Sequence, residues 1–232
     1  MEIKKVKYID IELDILYDPN DKSGIGSINE IINSNDYILN NFRSQENKVF
    51  IDIGANIGVA TLIMAKLNPK STVYAFEPYT KVYDILKKNV ELNNLNNVKI
   101  FNIGLSNKTS DNIKLNIFNK WSGASSMYAD DTTFQSFYDN DVSHTYVSCL
   151  SFDKMLEINN INEIYLLKID CEGAEYDIIY DSEKVKNKIV KNMVGEFHDL
   201  KYNKTPRNEC NKLLDYSKQY IDGTIHIQFL TI

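Results

Sequence analysis

Cysteine is scarce in this chain, and its placement argues against two kinds of site. The 232 residues include Cys149, Cys171 and Cys210. They are widely spaced, odd in number and form no C-x-x-C pair, so neither a disulfide framework nor a zinc site is expected. We interpret them as reduced thiols of a cytoplasmic protein.

Long apolar runs and an excess of positive charge are also lacking. No apolar stretch approaches the roughly 18 residues that a membrane span requires, and the charged N-terminus does not resemble a signal peptide. The chain has 26 basic and 32 acidic residues, a net charge of −6. A protein that holds nucleic acid over a long footprint needs clustered Lys and Arg. We therefore expect neither a membrane span nor extended nucleic-acid binding.

The most informative stretch covers residues 49–58, with the sequence V-F-I-D-I-G-A-N-I-G. It predicts a buried strand, a turn at Gly54 and a helix that begins near Gly58. A second apolar run, residues 72–76, ends on Glu77 and Pro78. The glycine turn lets the backbone approach a ligand, and the acid can accept hydrogen bonds from both ribose hydroxyls. This unit predicts one half of a doubly wound nucleotide site.

Strand and helix patterns alternate along most of the chain, which predicts an α/β fold with a mostly parallel sheet and helices on both faces. Residues 108–148 depart from this pattern, with a strand over 113–117, a polar excursion over 119–145 and an edge strand over 146–150. We divide the chain into an N-terminal extension, residues 1–45, packed on a core domain, residues 46–232. The main strands are predicted over residues 48–53, 72–76, 98–103, 164–169, 191–197 and 224–232.

The glycine turn is compatible with three classes of nucleotide ligand. A nicotinamide site would carry G-x-G-x-x-G, but Asn56 and Val59 stand where the second and third glycines belong. A phosphate-binding G-x-x-x-x-G-K-[ST] loop is absent from the sequence. S-adenosylmethionine has no phosphates, so the small polar Asn56 can stand where a dinucleotide site needs glycine and can contact the amino-acid end of the cofactor. Glu77 can accept hydrogen bonds from its ribose hydroxyls. The structural alternative is that the glycines only allow tight strand–helix packing.

Five motifs carry a resemblance to a known family: D-I-G-A-N-I-G at 52–58, F-E-P at 76–78, N-V-E-L-N at 89–93, K-I-D-C-E-G-A-E at 168–175 and E-F-H at 196–198. Over roughly residues 48–200 the chain resembles the FkbM family of S-adenosylmethionine-dependent methyltransferases. The resemblance implies a class I methyltransferase (Rossmann-like) fold, whose seven-stranded sheet has one antiparallel strand near an edge. It also implies methylation of a hydroxyl on a sugar, polyketide or other natural product.

The candidate site residues lie at or near the carboxyl ends of central strands, where open α/β sheets bind ligands. Strands four and five are neighbours in the fold that the resemblance implies. Four residues should therefore converge beside the transferred methyl group: Asp170, Glu172, Glu196 and His198. A hydroxyl acceptor must lose its proton. We predict Asp170 or His198 as the base, with Glu196 orienting His198 or the acceptor. The residues predicted to bind S-adenosyl-L-methionine are Asp52, Gly54, Ala55, Asn56, Gly58, Glu77, Pro78, Asn102, Gly104, Ser106, Ser125, Asp170 and Glu172.

Several alternatives remain open at this point. Carboxylates and His198 are also ligands for a hard divalent cation, but no ligand spacing requires one, so no metal is assigned. The predicted acceptor is a small molecule or a glycan, such as a polysaccharide precursor. RNA or another small molecule is the alternative acceptor, although D-C-E-G at 170–173 replaces the N/D-P-P-Y/F turn of amine methyltransferases. A non-catalytic partner subunit is the other alternative. The oligomeric state is left open.

Overall fold

The computed structural model describes residues 1–128, 141–198 and 206–230. Its helices are α1 (Lys22–Ile28), α2 (Val59–Leu67), α3 (Thr80–Leu92), α4 (Phe152–Ile158), α5 (Glu175–Asp181), α6 (Glu183–Lys186) and α7 (Pro206–Ser217). Its strands are β1 (Glu2–Tyr8), β2 (Ile11–Tyr17), β3 (Glu46–Ile53), β4 (Lys70–Phe76), β5 (Val98–Phe101), β6 (Gly104–Ser106), β7 (Ser110–Phe118), β8 (Val142–Ser151), β9 (Ile164–Ile169), β10 (Val190–His198) and β11 (Ile225–Leu230).

The central sheet has the strand order β11-β10-β9-β3-β4-β5. All of its neighbouring strands are parallel. Successive residues of β3 enter different cores: Phe50 packs with α2, α3 and β2, whereas Ile51 packs with α4, α5 and α7. A parallel sheet covered on both faces needs such nearly continuous apolar strands. The predicted α/β fold, with helices on both faces, is therefore confirmed.

The sheet differs from the expectation in its strand count. We predicted seven strands with one antiparallel near an edge, but the described residues contribute six, all parallel. The segments predicted as strands over 113–117 and 146–150 belong to β7 and β8, which pair with each other antiparallel. β6 pairs with the other side of β8. Since both sides of β8 are occupied in this separate three-stranded sheet, β8 does not form an edge of the central one.

The N-terminal residues share a hydrophobic core with the central sheet. β1 and β2 form an antiparallel hairpin, and buried Leu13 and Ile15 pack in the same cluster as α2 and α3. The amide side chains of Asn89 and Asn93 on α3 hydrogen-bond the backbone of β2, with donor–acceptor distances of 2.6–3.2 Å. The two amides thus satisfy backbone N–H and C=O groups of β2 that have no strand of the described chain beside them on that side. None of the described helices has the length and apolar character needed to cross a membrane.

Candidate active site

A cleft of about 970 Å³, counting the space at its mouth, opens at the carboxyl ends of β3, β4 and β9. The strand order makes these three ends neighbours, and their backbones join: Gly54 N and Ala55 N donate to Phe76 O, and Asp170 N donates to Ile53 O. The predicted site residues that line the cleft are Gly54, Asn56, Glu77, Pro78, Gly104, Ser125, Asp170, Glu172 and Glu196. The predicted site residues outside its lining are Asp52, Ala55, Gly58, Asn102, Ser106 and His198.

The turn after β3 requires glycine at its first position. Gly54 has φ +75°, and a Cβ added there would overlap the carbonyl oxygen of Asp170 and lie 2.8 Å from its carbonyl carbon. Asn56 also has a positive φ, 51°, which asparagine tolerates better than most residues. Its side chain accepts from Ile57 N at 2.8 Å and donates to Ser27 Oγ at 3.2 Å. The turn is thus held close to both β9 and α1.

Glu77 is fixed by backbone donors at the end of β4. Its Oε2 accepts from Asn56 N at 3.0 Å and its Oε1 accepts from Tyr79 N at 2.8 Å. Asn102 lies outside the cleft and supports this turn by donating to the carbonyls of Glu77 and Pro78. Burial raises the pKa of Glu77 to about 7. Each carboxylate oxygen has two lone pairs, so both oxygens can accept a second hydrogen bond from a ligand.

The far wall of the cleft joins α1 to the segment after β7. Asp21 Oδ1 accepts from the backbone N of both Ser23 and Ser122, at 3.0 and 3.1 Å, and Ser23 Oγ accepts from Gly123 N at 2.6 Å. The Oγ atoms of Ser122 and Ser125 are buried and have no hydrogen-bond partner in the described part of the chain. Both serines line the cleft. Their hydroxyls are therefore available to a bound ligand.

Lys168 lies under the glycine turn in the otherwise apolar strand β9. Its Nζ is 3.2 Å from Asp52 Oδ1 and 3.3 Å from Asp170 Oδ2, and it donates to Gly54 O at 2.7 Å. Burial lowers the pKa of Lys168, but the carboxylates of Asp52 and Asp170 raise it by more, so the net shift is upward. Asp52 is fully buried and also accepts from Thr61 Oγ1. The structure thus places Asp52 beneath the cleft, as a partner of Lys168.

Tyr37, from the N-terminal segment, joins two acids of the cleft. Its hydroxyl lies 2.8 Å from Asp170 Oδ2 and 3.1 Å from Glu196 Oε1. Burial raises the pKa of Asp170, but the charges of Lys168 and His198 lower it by more, so the net shift is downward. For Glu196, burial and the charge of Asp170 raise the pKa to about 8.

His198 is fully buried behind these acids. Its Nδ1 is 3.0 Å from Glu175 Oε1, and its Nε2 faces carboxylate oxygens of Glu172, Glu196 and Asp170 at 3.5, 3.7 and 3.8 Å. Burial lowers the pKa of His198, but the charges of Glu172 and Glu175 raise it further, and the net shift is upward. The structure therefore brings together the predicted catalytic residues, although His198 does not itself line the cleft.

Comparison with known proteins identifies the family. A family model described as the methyltransferase FkbM domain matches residues 52–220. The chain belongs to the FkbM methyltransferase family. Its cofactor is S-adenosyl-L-methionine, as the sequence predicts.

Named relatives of this FkbM methyltransferase include two fungal proteins. Methyltransferase 1 of Beauveria bassiana is 29% identical over 168 residues, which cover 67% of each chain. Methyltransferase sdnD of Sordaria araneosa is 27% identical over 191 residues, 72% of each chain. A solved structure, Methanocaldococcus jannaschii TYW2 in complex with AdoMet, aligns with 45% of this chain and 47% of that chain at 23% identity, with a TM-score of 0.28.

The cleft of this FkbM methyltransferase fits S-adenosylmethionine. The two carboxylate oxygens of Glu77 lie at the end of β4, where an acid that binds the ribose hydroxyls is expected. Gly54 has no side chain, so the turn after β3 leaves room for the cofactor. The buried Oγ of Ser125 has no partner in the described structure, so a polar atom of the cofactor would satisfy it. The apolar part of the lining suits an adenine ring; it includes Ile53, Phe76, Ile103, Leu105, Leu115 and Met127.

The remaining predicted residues outside the lining support the turns of this FkbM methyltransferase. A side chain at Gly58, whose φ is +95°, would meet Leu86 Cδ1 at 2.5 Å. Ser106 Oγ donates to Lys108 O at 3.1 Å. Four residues that we predicted to bind the cofactor therefore do not line the cleft, and their role stays a prediction: Ala55, Gly58, Asn102 and Ser106.

Sequence reasoning gave no role to three residues of the site in this FkbM methyltransferase: Tyr37, Lys168 and Glu175. A lone lysine in the apolar run of β9 was a visible signal, because a buried charge needs a partner. Glu175 stood in the K-I-D-C-E-G-A-E motif without an assigned function. Nothing in the local sequence marks Tyr37, whose two partners lie 133 and 159 residues further along the chain.

Proposed function

We propose that this FkbM methyltransferase transfers a methyl group to a hydroxyl of a sugar, a polysaccharide precursor or another natural product. The observation that carries the proposal is the group of acids, Asp170, Glu172 and Glu196, that lines the cleft at the end of β9 and β10. S-adenosylmethionine supplies the electrophilic methyl group when bound. A hydroxyl acceptor must lose its proton during the transfer. A carboxylate of this group, next to the acceptor, can accept that proton.

The sequence predicts Asp170 or His198 as the base, with Glu196 orienting His198 or the acceptor; the positions of these three side chains lead us to propose different roles. Asp170 and Glu196 both line the cleft, so both can reach the acceptor, and one of them receives its proton. The raised pKa of Glu196, about 8, makes its ionised form the stronger base of the two, and the share of that form grows as the pH rises toward 8 and above. His198 is fully buried behind them, and it acts as a positioning residue for the acids.

Cellular location and domain division belong to the same proposal. No disulfide joins Cys149, Cys171 or Cys210, which supports our proposal of a cytoplasmic protein. We also propose that residues 1–45 act as an extension of the domain formed by residues 46–232. The bonds of Tyr37 to Asp170 and Glu196 support a direct contribution of this extension to the site.

The proposed function is tested with methyl-labelled S-adenosylmethionine and a panel of sugars, glycans, small alcohols and RNA. The label should appear in a hydroxyl-bearing sugar or alcohol as a methyl ether, identified by the chemical shift of the methyl group in NMR. Label found only in RNA, or only on nitrogen, would overturn the proposal. A thermal-shift comparison of S-adenosylhomocysteine with NAD should show stabilisation by the former alone.

Turnover should depend on Glu196. The Glu196→Gln variant keeps the size of the side chain but removes the proton acceptor, so the rate of methyl transfer should fall about 100-fold or more. The affinity for S-adenosylhomocysteine, measured by calorimetry, should stay within about twofold. Glu157→Gln is the control, because Glu157 is exposed on α4 and its side chain pairs with the equally exposed Lys154 on the same helix. A Glu196→Gln rate equal to that of the control would remove Glu196 from the mechanism.

Cofactor affinity should depend on pH through Glu77. The pKa of this acid is raised to about 7 by burial, and ribose hydroxyls bind its ionised form. Affinity for S-adenosylhomocysteine should therefore weaken about tenfold as the pH falls from 8 to 6, in proportion to the ionised fraction. Glu77→Gln should bind more weakly at pH 8 and lose this part of the pH dependence, measured by calorimetry. If the variant kept the parent's affinity and pH profile, the ribose assignment would be wrong.

A further inference from the structure

Acids of the cleft and the buried His198 behind them are grouped closely enough to form a metal site. One carboxylate oxygen of Asp170, one of Glu196 and a ring nitrogen of His198 all lie within 4.8 Å of one another. Ligands bound to a divalent ion at about 2.1 Å lie about 3.0–3.4 Å apart in octahedral or tetrahedral geometry. His198 Nε2 is 3.5–3.8 Å from oxygens of Glu172, Glu196 and Asp170. His198 Nε2 would have to approach the acid oxygens by only a few tenths of an ångström, and no pair among the three ligand atoms by more than about 1.8 Å, for these ligands to close around one ion.

The orientation of His198 is the independent observation that points to a ligand. Glu175 accepts the backbone N–H groups of Cys171 and Gly173 and lies 3.0 Å from His198 Nδ1. Glu175 therefore fixes the orientation of the ring through Nδ1 and points Nε2 toward the three acids. Nε2 is buried and has no hydrogen-bond partner among the described residues, although it faces the acids. A carboxylate that orients one nitrogen of a histidine while the other binds a cation is a recurring arrangement in metal sites.

The acids are also oriented toward this space. Tyr37 contacts Asp170 Oδ2 and Glu196 Oε1, and Lys168 contacts the same Oδ2. The other oxygen of each acid, Oδ1 and Oε2, faces His198 Nε2. A buried Glu172 Oε2 has no hydrogen-bond partner in the described structure. Tyr37 and Lys168 thus bind one oxygen of each acid, and the oxygen that faces His198 is left for a common partner.

The balance of charge supports a cation. Glu172, Glu175 and Glu196 lie in the cluster with Asp170, whereas Lys168 is shared between Asp170 and Asp52. Buried carboxylates are normally paired or bound to metal. Nε2 lies at similar distances from three of their oxygens. A divalent ion between them would satisfy the three acids and the nitrogen together.

We propose that Asp170, Glu196 and His198 bind a divalent cation, with Glu172 as a fourth ligand. Three carboxylates and one imidazole favour Mn²⁺ or Mg²⁺ over metals that prefer thiolates. Because the three acids line the cleft, the bound cation would face the acceptor and lower the pKa of its hydroxyl. This catalytic consequence rests on the proposed function, whereas the binding of the cation does not.

The test is Mn²⁺ binding to the full chain after treatment with a chelator, followed by calorimetry and by electron paramagnetic resonance. We expect one saturable site per chain. Glu196→Gln removes a charged ligand, and Tyr37→Phe removes only the hydroxyl that orients two ligands. Both variants should weaken Mn²⁺ binding by about tenfold or more, while Glu157→Gln should leave it unchanged. Thermal unfolding and S-adenosylhomocysteine affinity will show that the variants are folded.

The outcomes separate the cation site from the proposed function. Absence of Mn²⁺ binding in the parent, or equal affinity in the parent and both variants, would overturn the site even if hydroxyl methylation is observed. Saturable Mn²⁺ binding that depends on Glu196 and Tyr37 supports the site even if no hydroxyl acceptor is methylated. If both proposals hold, the chelator should lower the rate of methyl transfer and added Mn²⁺ should restore it.

Discussion

The Gly54→Ala variant is expected to be destabilised by about 4 kcal/mol or more and to lose measurable binding of S-adenosylhomocysteine. Alanine at this position has to adopt φ +75°, and its Cβ would overlap the carbonyl oxygen of Asp170. β3 and β9 are joined by backbone hydrogen bonds up to this turn, so neither strand can move away without breaking them. Denaturant unfolding measures the loss of stability, and calorimetry measures the loss of binding.

Gly26→Ala is the matched control for this variant. Gly26 also lines the cleft, but it lies in α1, and a Cβ there would meet Trp121 at 3.5 Å, an ordinary contact. Alanine in a helix reduces the conformational freedom of the unfolded chain, so this variant should be as stable as the parent or more stable by up to about 1 kcal/mol. Equal loss of stability in the two variants would show that close approach of the backbone at Gly54 is not the cause.

The second large effect is expected for Lys168→Met, which should lower the free energy of unfolding by about 3–5 kcal/mol at pH 7. Methionine has a similar length but no charge, so the carboxylates of Asp52 and Asp170 would be left buried without their common partner. The Gly54 carbonyl would also lose its donor. Urea unfolding of the parent and the variant measures the difference.

The pH dependence of this difference has a defined sign. In the parent, the pKa of Asp170 is lowered, so its contribution to stability is present above about pH 4 and lost as the pH falls through the folded-state pKa. Without Lys168, burial should instead raise the pKa of Asp170. Protonation would then relieve the uncompensated charge, so the difference between parent and variant should narrow as the pH falls from 7 toward 4.

Two further variants isolate the buried charge. Lys48→Met removes a lysine whose partner Glu163 is half exposed, and a surface pair of this kind contributes less than about 1 kcal/mol. Lys168→Met combined with Asp52→Asn should recover part of the stability lost in Lys168→Met, because one of the two carboxylates is removed with its partner. No recovery in the double variant, or a loss no larger than that of Lys48→Met, would contradict this account of Lys168.

Local sequence was sufficient to predict the half of the fold that contains the glycine turn. The apolar run before Gly54, the helix after it and the acid at Glu77 are contiguous signals, and the structure places them as β3, α2 and the end of β4. The end of β9 was predictable for the same reason, since Asp170 follows an apolar strand. The convergence of Asp170 with Glu196 required one further assumption, that strands four and five are neighbours.

The local sequence pattern did not predict which strands pair with each other. The alternation in β7 and β8 indicates strands, but it is the same whether they join the central sheet or pair with each other. Tyr37 and Lys168 illustrate a related limit, because their roles arise from contacts between segments that are distant in sequence. Of the predicted excursion over 119–145, residues 129–140 lie outside the described part of the chain.

The link from Tyr37 to Asp170 and Glu196 has a consequence for the order of assembly during synthesis. Its two partners follow it by 133 and 159 residues, and chains are made at about 5–20 residues per second. On the ribosome, Tyr37 is therefore synthesised roughly 7 to 27 seconds before Asp170, the first of the two acids. Joining such distant residues costs loop-closure entropy before their contacts stabilise the protein. The paired acids must therefore be among the last features of the enzyme to acquire their final arrangement.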